Sequence, residues 1–175
     1  SPKPAILLAG GTGFAPIKSI VENAIATGQT RPMTLYWGSR DLAGLYQLDV
    51  ARSWEARLPG FRCIPVLSDA SPADNWSGRQ GLAHAALMAD LPDLSGHEVY
   101  ACGSPAMIDA ARADLTGRCQ LPADAFFADA FDGGDLLALG GTGGQHAGAH
   151  RLPINHNRAS ATLAHATAVL GAGQA

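Results

Sequence analysis

Residues 6–16 have the sequence Ile6-Leu7-Leu8-Ala9-Gly10-Gly11-Thr12-Gly13-Phe14-Ala15-Pro16, and this stretch decides the fold. Its apolar run predicts a buried strand, and its glycine cluster predicts a tight turn. Apolar residues recur at helical spacing after the turn, so we expect a helix over 16–26. Because the unpaired backbone N–H groups at a helix start favour an anion, the stretch predicts a site for a nucleotide pyrophosphate.

Strands and helices alternate along the chain after this stretch. Further strands are predicted over 33–37, 61–67, 98–102 and 125–128, and further helices over 47–58, 80–90 and 106–118. This alternation predicts a Rossmann-like α/β fold, a five-stranded parallel sheet with helices on both faces. Ligands of such sheets bind at the carboxyl ends of the strands. The turns expected there cover residues 10–16, 38–41, 68–69 and 103–105.

Composition limits the classes of function. The chain has 175 residues, 47% of them hydrophobic, and a net charge of -3. One domain is expected, and the charge favours neither nucleic acid nor an anionic membrane as a partner. No apolar run approaches the roughly 20 residues that span a bilayer. The three cysteines show no CxxC spacing, which predicts reduced thiols in a cytoplasmic protein and no metal site.

The composition changes after Phe131. Residues 133–175 have no aromatic residue, are rich in glycine and alanine, and contain four histidines. Such a composition is typical of a flexible segment. We therefore predict a folded domain over 1–132 and a flexible tail over 133–175.

Two groups of residues at the predicted turns have both a functional and a structural explanation. Gly10, Gly11 and Gly13 allow close approach of the backbone to a phosphate, or they simply form a tight turn. Cys102 ends a strand at the same edge, where its thiol would lie beside a flat ring or be buried in the core. The residues alone leave both alternatives open.

The turns at 38–41 and 68–69 carry the charged candidates. Asp69, after Ser68, would accept hydrogen bonds from a ribose diol and repel a 2′-phosphate, or it serves the turn alone. Arg40 would contact a phosphate or an adenine face, or it is a solvated surface residue. Ser104 and Pro105 are typical of an N-cap and a first helical residue.

Together these stretches resemble the pyridine-nucleotide-binding domain of the ferredoxin–NADP reductase superfamily. The branch they resemble holds bacterial NAD(P)H-flavin reductases, oxygenase reductases and CDP-6-deoxy-glucoseen reductase-like proteins. The matching segments are 8–16, 35–40 with 45–46, 66–69, 76–81, 99–107 and 126–131. The resemblance implies that NADH, or alternatively NADPH, passes a hydride to FAD. Electrons would then reach a ferredoxin or 2Fe–2S domain and an oxygenase or reductase.

The resemblance also implies roles for individual residues. Thr12 and Cys102 would lie beside the nicotinamide as the catalytic pair. Asp69 stands where NADP-dependent relatives carry arginine, which implies a preference for NADH. The cofactor-binding set that the resemblance implies is Gly10, Gly11, Thr12, Gly13, Pro16, Ser39, Arg40, Ser68, Asp69, Gly103, Ser104, Pro105, Met107 and Phe131.

Two features of the family are missing from this sequence. The FAD-binding barrel with its Arg-x-Tyr-Ser-type motif, which normally precedes this domain, is not found, nor is a cysteine cluster for a 2Fe–2S domain. We therefore expect the chain to be part of a larger reductase and inactive alone. The alternative is a non-catalytic nucleotide-binding module that has lost its flavin domain. A short-chain dehydrogenase is disfavoured because the chain has no Tyr-x-x-x-Lys pair.

Overall fold

A computed structural model describes residues 1–130 as an α/β domain built on one sheet. Its strands are β1 (Ala5–Gly10), β2 (Met33–Ser39), β3 (Phe61–Leu67), β4 (Arg79–Gln80), β5 (Glu98–Gly103) and β6 (Phe126–Ala130). Its helices are α1 (Phe14–Ala26), α2 (Leu48–Ser53), α3 (Ala83–Asp90) and α4 (Pro105–Arg118). None of these helices is long and apolar enough to cross a bilayer.

The strands are all parallel and lie in the order β4-β3-β2-β1-β5-β6. The chain begins in the middle of the sheet, builds towards one edge through β4, and then crosses over to β5. The order of the strands therefore reverses between β1 and β5, whose residues Ala9 and Cys102 are paired. In open parallel sheets, such a reversal point at the carboxyl ends is where ligands bind.

Two buried clusters cover the two faces of the sheet. The first contains Leu7 and Trp37 of the sheet with Ile17 of α1. The second contains Leu8 of the sheet with Leu87 of α3 and others from α4. Because β1 is buried on both faces, its sequence is a continuous apolar run rather than an alternating one.

The predicted α/β class, the parallel sheet and the helices on both faces are confirmed, but the number of strands was wrong. Residues 1–130 contain six strands, and the one that was missed is β4. It contains only Arg79 and Gln80, and both are exposed. Two exposed polar residues give no apolar signal, so no pattern in the sequence marks this strand.

The ends of several elements differ from the predictions by a few residues. Helix α1 begins at Phe14, while α2 ends at Ser53 and continues as a 3₁₀ turn, Trp54–Ala56. Helix α3 begins only at Ala83, since Gly81 adopts a φ of 106° that cannot belong to a helix. The predictions for Phe131 and for the tail 133–175 lie outside the described residues.

Candidate functional site

An open cleft of about 630 Å³ lies at the carboxyl edge of the sheet. Residues at the ends of five strands and at the starts of two helices form it. Its lining residues are Gly10, Gly11, Gly38, Ser39, Arg40, Asp41, Ser68, Gly81, Leu82, Ala83, His84, Ser104, Ala106, Met107 and Ala110. The volume is within the range of small-molecule sites, and the place is the one that parallel sheets use for ligands.

The glycine turn after β1 packs directly on the end of β5. A Cβ atom on Gly13 would lie 2.1 Å from the carbonyl oxygen of Cys102 and 2.6 Å from its carbonyl carbon. A Cβ atom on Gly10 or Gly103 would lie 2.3 Å or 2.6 Å from the Sδ atom of Met107. A side chain at Gly13 would therefore push the turn away from β5, whereas one at Gly10 or Gly103 would first displace the flexible end of Met107.

Gly11, in the same turn, faces open space, whereas Gly10 and Gly13 are closely packed. Its φ is 51°, and an added Cβ atom would meet nothing within 4 Å. Glycine is needed here for the left-handed backbone conformation rather than for packing. The backbone of Gly11 consequently lies bare on the cleft, as close approach to a phosphate requires.

Aromatic residues support the turn from the α1 side of the sheet. The rings of Phe14 and Trp37 are stacked, with centroids 3.8 Å apart and an interplanar angle of 8°. The indole N–H of Trp37 donates a hydrogen bond to the carbonyl oxygen of Gly11 at 3.1 Å. Tyr46 packs edge-on against both rings. The turn is therefore fixed before any ligand arrives.

The turns after β2 and β3 form the opposite end of the cleft. Ser68 and Asp69 donate backbone hydrogen bonds to the carbonyl oxygens of Ser39 and Arg40, both at 2.8 Å. The guanidinium of Arg40 lies 3.2 Å from the carboxylate of Asp69, and both side chains are largely exposed, at 83% and 72%. Exposed ion pairs contribute little stability, so both side chains can change partner when a ligand binds.

Comparison with known proteins identifies the family. The family model described as "Oxidoreductase NAD-binding domain" matches residues 7–113, which include β1 through most of α4. The chain belongs to this family. The glycine turn after β1 lies within the matched residues and lines the cleft of this NAD-binding domain.

Similar proteins include two curated bacterial reductases and one solved structure. A "CDP-6-deoxy-L-threo-D-glycero-4-hexulose-3-dehydrase reductase" of Yersinia pestis is 44% identical, across 73% of this chain and 38% of its own length. An "NAD(P)H-flavin reductase" of Vibrio harveyi is 34% identical, across 75% and 54%. The cytochrome P450 reductase GcoB of Amycolatopsis is 34% identical with a TM-score of 0.67, across 75% and 38%. The NAD-binding domain therefore spans only part of each relative.

The NAD-binding domain brings seven of the fourteen predicted cofactor-binding residues to the lining of the cleft. The predicted residues that line it are Gly10, Gly11, Ser39, Arg40, Ser68, Ser104 and Met107. Thr12 is exposed in the glycine turn, and Pro16 lies in the first turn of α1, where a missing N–H breaks no helical hydrogen bond. The N-cap role of Ser104 is confirmed, because its Oγ accepts a hydrogen bond from the N–H of Met107 at 3.4 Å.

Sequence reasoning missed one wall of the cleft. This wall is formed by Gly81, Leu82, Ala83 and His84. These residues directly follow β4. Because β4 pairs in parallel with the end of β3, it brings them to the carboxyl edge of the sheet. The glycine at position 81 was the one available signal, since a glycine before a helix indicates a special turn.

Cys102, expected beside the nicotinamide, does not line the cleft. Its side chain is 3% exposed and belongs to the same buried cluster as Phe14 and Ile17. Burial, together with the charge of the Asp129 carboxylate, raises the pKa of its thiol to about 12. The thiol is therefore uncharged at neutral pH, and what it can offer a neighbouring ring is a polarisable surface rather than a nucleophile. Its role beside a nicotinamide stays a prediction.

We expect Cys102 of the folded chain to resist alkylation. With a pKa of about 12, roughly one thiol in ten thousand is a thiolate at pH 8, and burial also blocks the reagent. Mass spectrometry after brief treatment with iodoacetamide measures this directly, and the same chain unfolded in guanidinium chloride is the control. Labelling of Cys102 in the folded chain at the rate of a free thiol would contradict the described burial.

Proposed function

We propose that this chain is the nucleotide-binding part of a flavin-dependent NADH oxidoreductase. NADH would bind across the carboxyl edge of the sheet and present its nicotinamide to an FAD held by a separate domain. An iron–sulfur centre and an oxygenase or reductase would receive the electrons. The observation that carries this proposal is the cleft itself, in which a bare glycine turn meets the end of β5.

The residues present fit a dinucleotide along the length of the cleft. The backbone of Gly10 and Gly11 and the start of α4 would contact the pyrophosphate, because helix starts favour anions. Ser39, Arg40 and Ser68 would contact the adenosine ribose, with Asp69 at the rim. Thr12, Cys102 and Gly103 would flank the nicotinamide.

Nicotinamide cofactors supply the hydride, so the protein is left with positioning and the exclusion of water. The fixed glycine turn and the packed end of β5 serve the positioning. The relatives are named as reductases of a flavin, of a dehydrase and of a cytochrome P450. These names support electron delivery to a second enzyme as the role of the full protein.

Reconstitution with an FAD-binding barrel tests the proposal. The 175-residue chain, mixed anaerobically with the flavin-loaded barrel of a related reductase, should bleach the flavin absorbance when NADH is added. The barrel with NADH alone is the control. Binding of NADH without faster bleaching would favour a non-catalytic nucleotide-binding module, and no binding at all would overturn the proposal.

Asp69 should set the preference for NADH over NADPH. Its carboxylate would repel a 2′-phosphate, and it also holds the guanidinium of Arg40 at 3.2 Å. Asp69→Ser removes the repulsion and releases Arg40, so the ratio of the Kd for NADP⁺ to that for NAD⁺ should fall about tenfold or more. Calorimetric titration with each nucleotide measures this ratio.

The matched control for this change is Asp49→Ser. Asp49 is an exposed carboxylate in the first turn of α2 and does not line the cleft. Its replacement should leave the ratio unchanged. A wild-type chain that prefers NADP⁺, or an Asp69→Ser variant with an unchanged ratio, would contradict the assignment of Asp69.

A further inference from the structure

We propose that His84 is a further ligand-binding residue of the cleft, whose imidazolium donates a hydrogen bond to a phosphate oxygen of the bound dinucleotide. Nucleotide binding then strengthens as the pH falls. This inference rests on the proposed function, since it assumes that the cleft binds a pyrophosphate. It adds a titratable contact on the wall that the sequence analysis missed.

The position of His84 is unusual for a polar side chain. It is only 6% exposed, yet it lines the cleft near the start of α3. Its Nε2 atom lies 3.3 Å from the Oδ2 atom of Asp114 on α4. Its Nδ1 atom has no hydrogen-bond partner among residues 1–130. Asp114 therefore engages one ring nitrogen, and the other remains for a ligand.

One face of α4 explains why there is space beside this ring. Ala106, Ala110 and Asp114 follow one another at intervals of four residues, so they lie on one side of the helix. The two alanines line the cleft, and Asp114 does not. Their small methyl groups leave space in the cleft beside the imidazole of His84. The carboxylate of Asp114, one turn further along α4, contacts the Nε2 atom of the same ring. Asp114 is thus a positioning residue.

The charges of the cleft point to an anion as the ligand of His84. Arg40 and Asp41 are the other charged side chains that line it, and both are exposed. Arg40 is paired with Asp69 in solvent, and Asp41 accepts a hydrogen bond from the N–H of Gly44 at 3.0 Å. His84 is therefore the buried side chain of the lining that can present a positive charge to a phosphate.

The surroundings of His84 contain few competing charges. The titratable groups on the elements packed against α3, and on α3 itself, are Tyr36, Arg62, Cys63, Asp90, Asp109, Arg112, Asp114 and Arg118. Of the carboxylates in this described part, Asp114 is the one within 4 Å of the ring, and it also contacts Arg118 at 3.5 Å. Asp90, at the far end of α3, is held by Arg79 and by the hydroxyl of Tyr36. A change in binding with pH at this wall is therefore assigned to His84.

Calorimetric titration of the 175-residue chain tests the inference with two probes. ADP-ribose carries the pyrophosphate, and adenosine lacks it. When the pH is lowered from about 8 to about 6, the affinity for ADP-ribose should rise about tenfold. Affinity for adenosine should stay constant. His84→Gln keeps a polar side chain but cannot titrate, so the rise should vanish.

The controls separate a binding role from a structural one. His97→Gln changes a histidine that precedes β5, at the opposite end of the strand from the cleft, and should keep the rise. Asp114→Asn should weaken binding of ADP-ribose at the lower pH. If His84→Gln does not fold, the ring-proton NMR signal of His84 in the wild-type chain should still shift with ADP-ribose and not with adenosine.

Two outcomes would overturn the inference, and they are distinguishable. A His84→Gln variant that keeps the full pH dependence, or an unshifted His84 signal, would leave the proposed function standing and remove His84 from the site. A wild-type chain that binds neither ADP-ribose nor NADH at either pH would overturn the proposed function and this inference together.

Discussion

The Gly13→Ala variant is expected to lose about 3 kcal/mol of unfolding free energy and, with it, measurable binding of ADP-ribose. The added methyl group would lie 2.1 Å from the carbonyl oxygen of Cys102, and nothing flexible stands between the two backbones. The turn must therefore move away from β5, which displaces both the start of α1 and the bare backbone of Gly11. Chemical denaturation gives the loss of stability, and calorimetry gives the loss of binding.

Gly117→Ala is the matched control for this change. Gly117 lies in the last turn of α4, and an added Cβ atom would meet nothing within 4 Å. Alanine is a better helix former than glycine, so this variant should gain about 0.5–1 kcal/mol and bind ADP-ribose normally. A Gly13→Ala variant that is as stable as the wild type would show that the turn is not packed on β5 as described.

Ala110→Trp should abolish nucleotide binding while leaving the fold intact. Ala110 is an exposed residue of α4 that lines the cleft, so a large side chain there competes with the ligand rather than with the core. We expect the affinity for ADP-ribose to fall more than tenfold, because a bulky ring removes the space that the ligand needs. The melting temperature should change little.

Ala113→Trp offers a matched control on the same helix. Ala113 is also exposed but does not line the cleft. This variant should bind ADP-ribose as the wild type does. Equal binding by the Ala110→Trp variant would contradict the cleft as the nucleotide site, whatever its effect on stability.

The sequence predicts the central strands because their signals are local and strong. Four apolar residues before a glycine cluster identify β1, and a similar run identifies β5. Parallel strands bring their carboxyl ends to one edge, so the turn at Gly10 and the end at Gly103 could be expected to meet. Strand β4 could not be predicted, because pairing with β3 rather than any apolar pattern makes it a strand.

The sequence predicts a residue of the candidate site only where the residue type itself indicates a role, such as backbone flexibility or charge. Glycines at a helix start and an acidic residue at a strand end carry such a signal, but the alanine at 110 does not. The pairing of Arg40 with Asp69 depends on the register between β2 and β3, which a sequence does not show. His84 could not be placed for the same reason, since its partner Asp114 lies on a different helix.

We expect the carboxyl edge of the sheet to bind a nicotinamide dinucleotide. Mapping of amide chemical shifts in the labelled 175-residue chain, titrated with NAD⁺ or ADP-ribose, locates the bound nucleotide residue by residue. The shifted signals should cluster at Gly11, Ser39, Gly81 and Met107, on four separate segments of the cleft. Shifts confined to the amino ends of the strands, or no shifts at saturating nucleotide, would contradict binding at this edge.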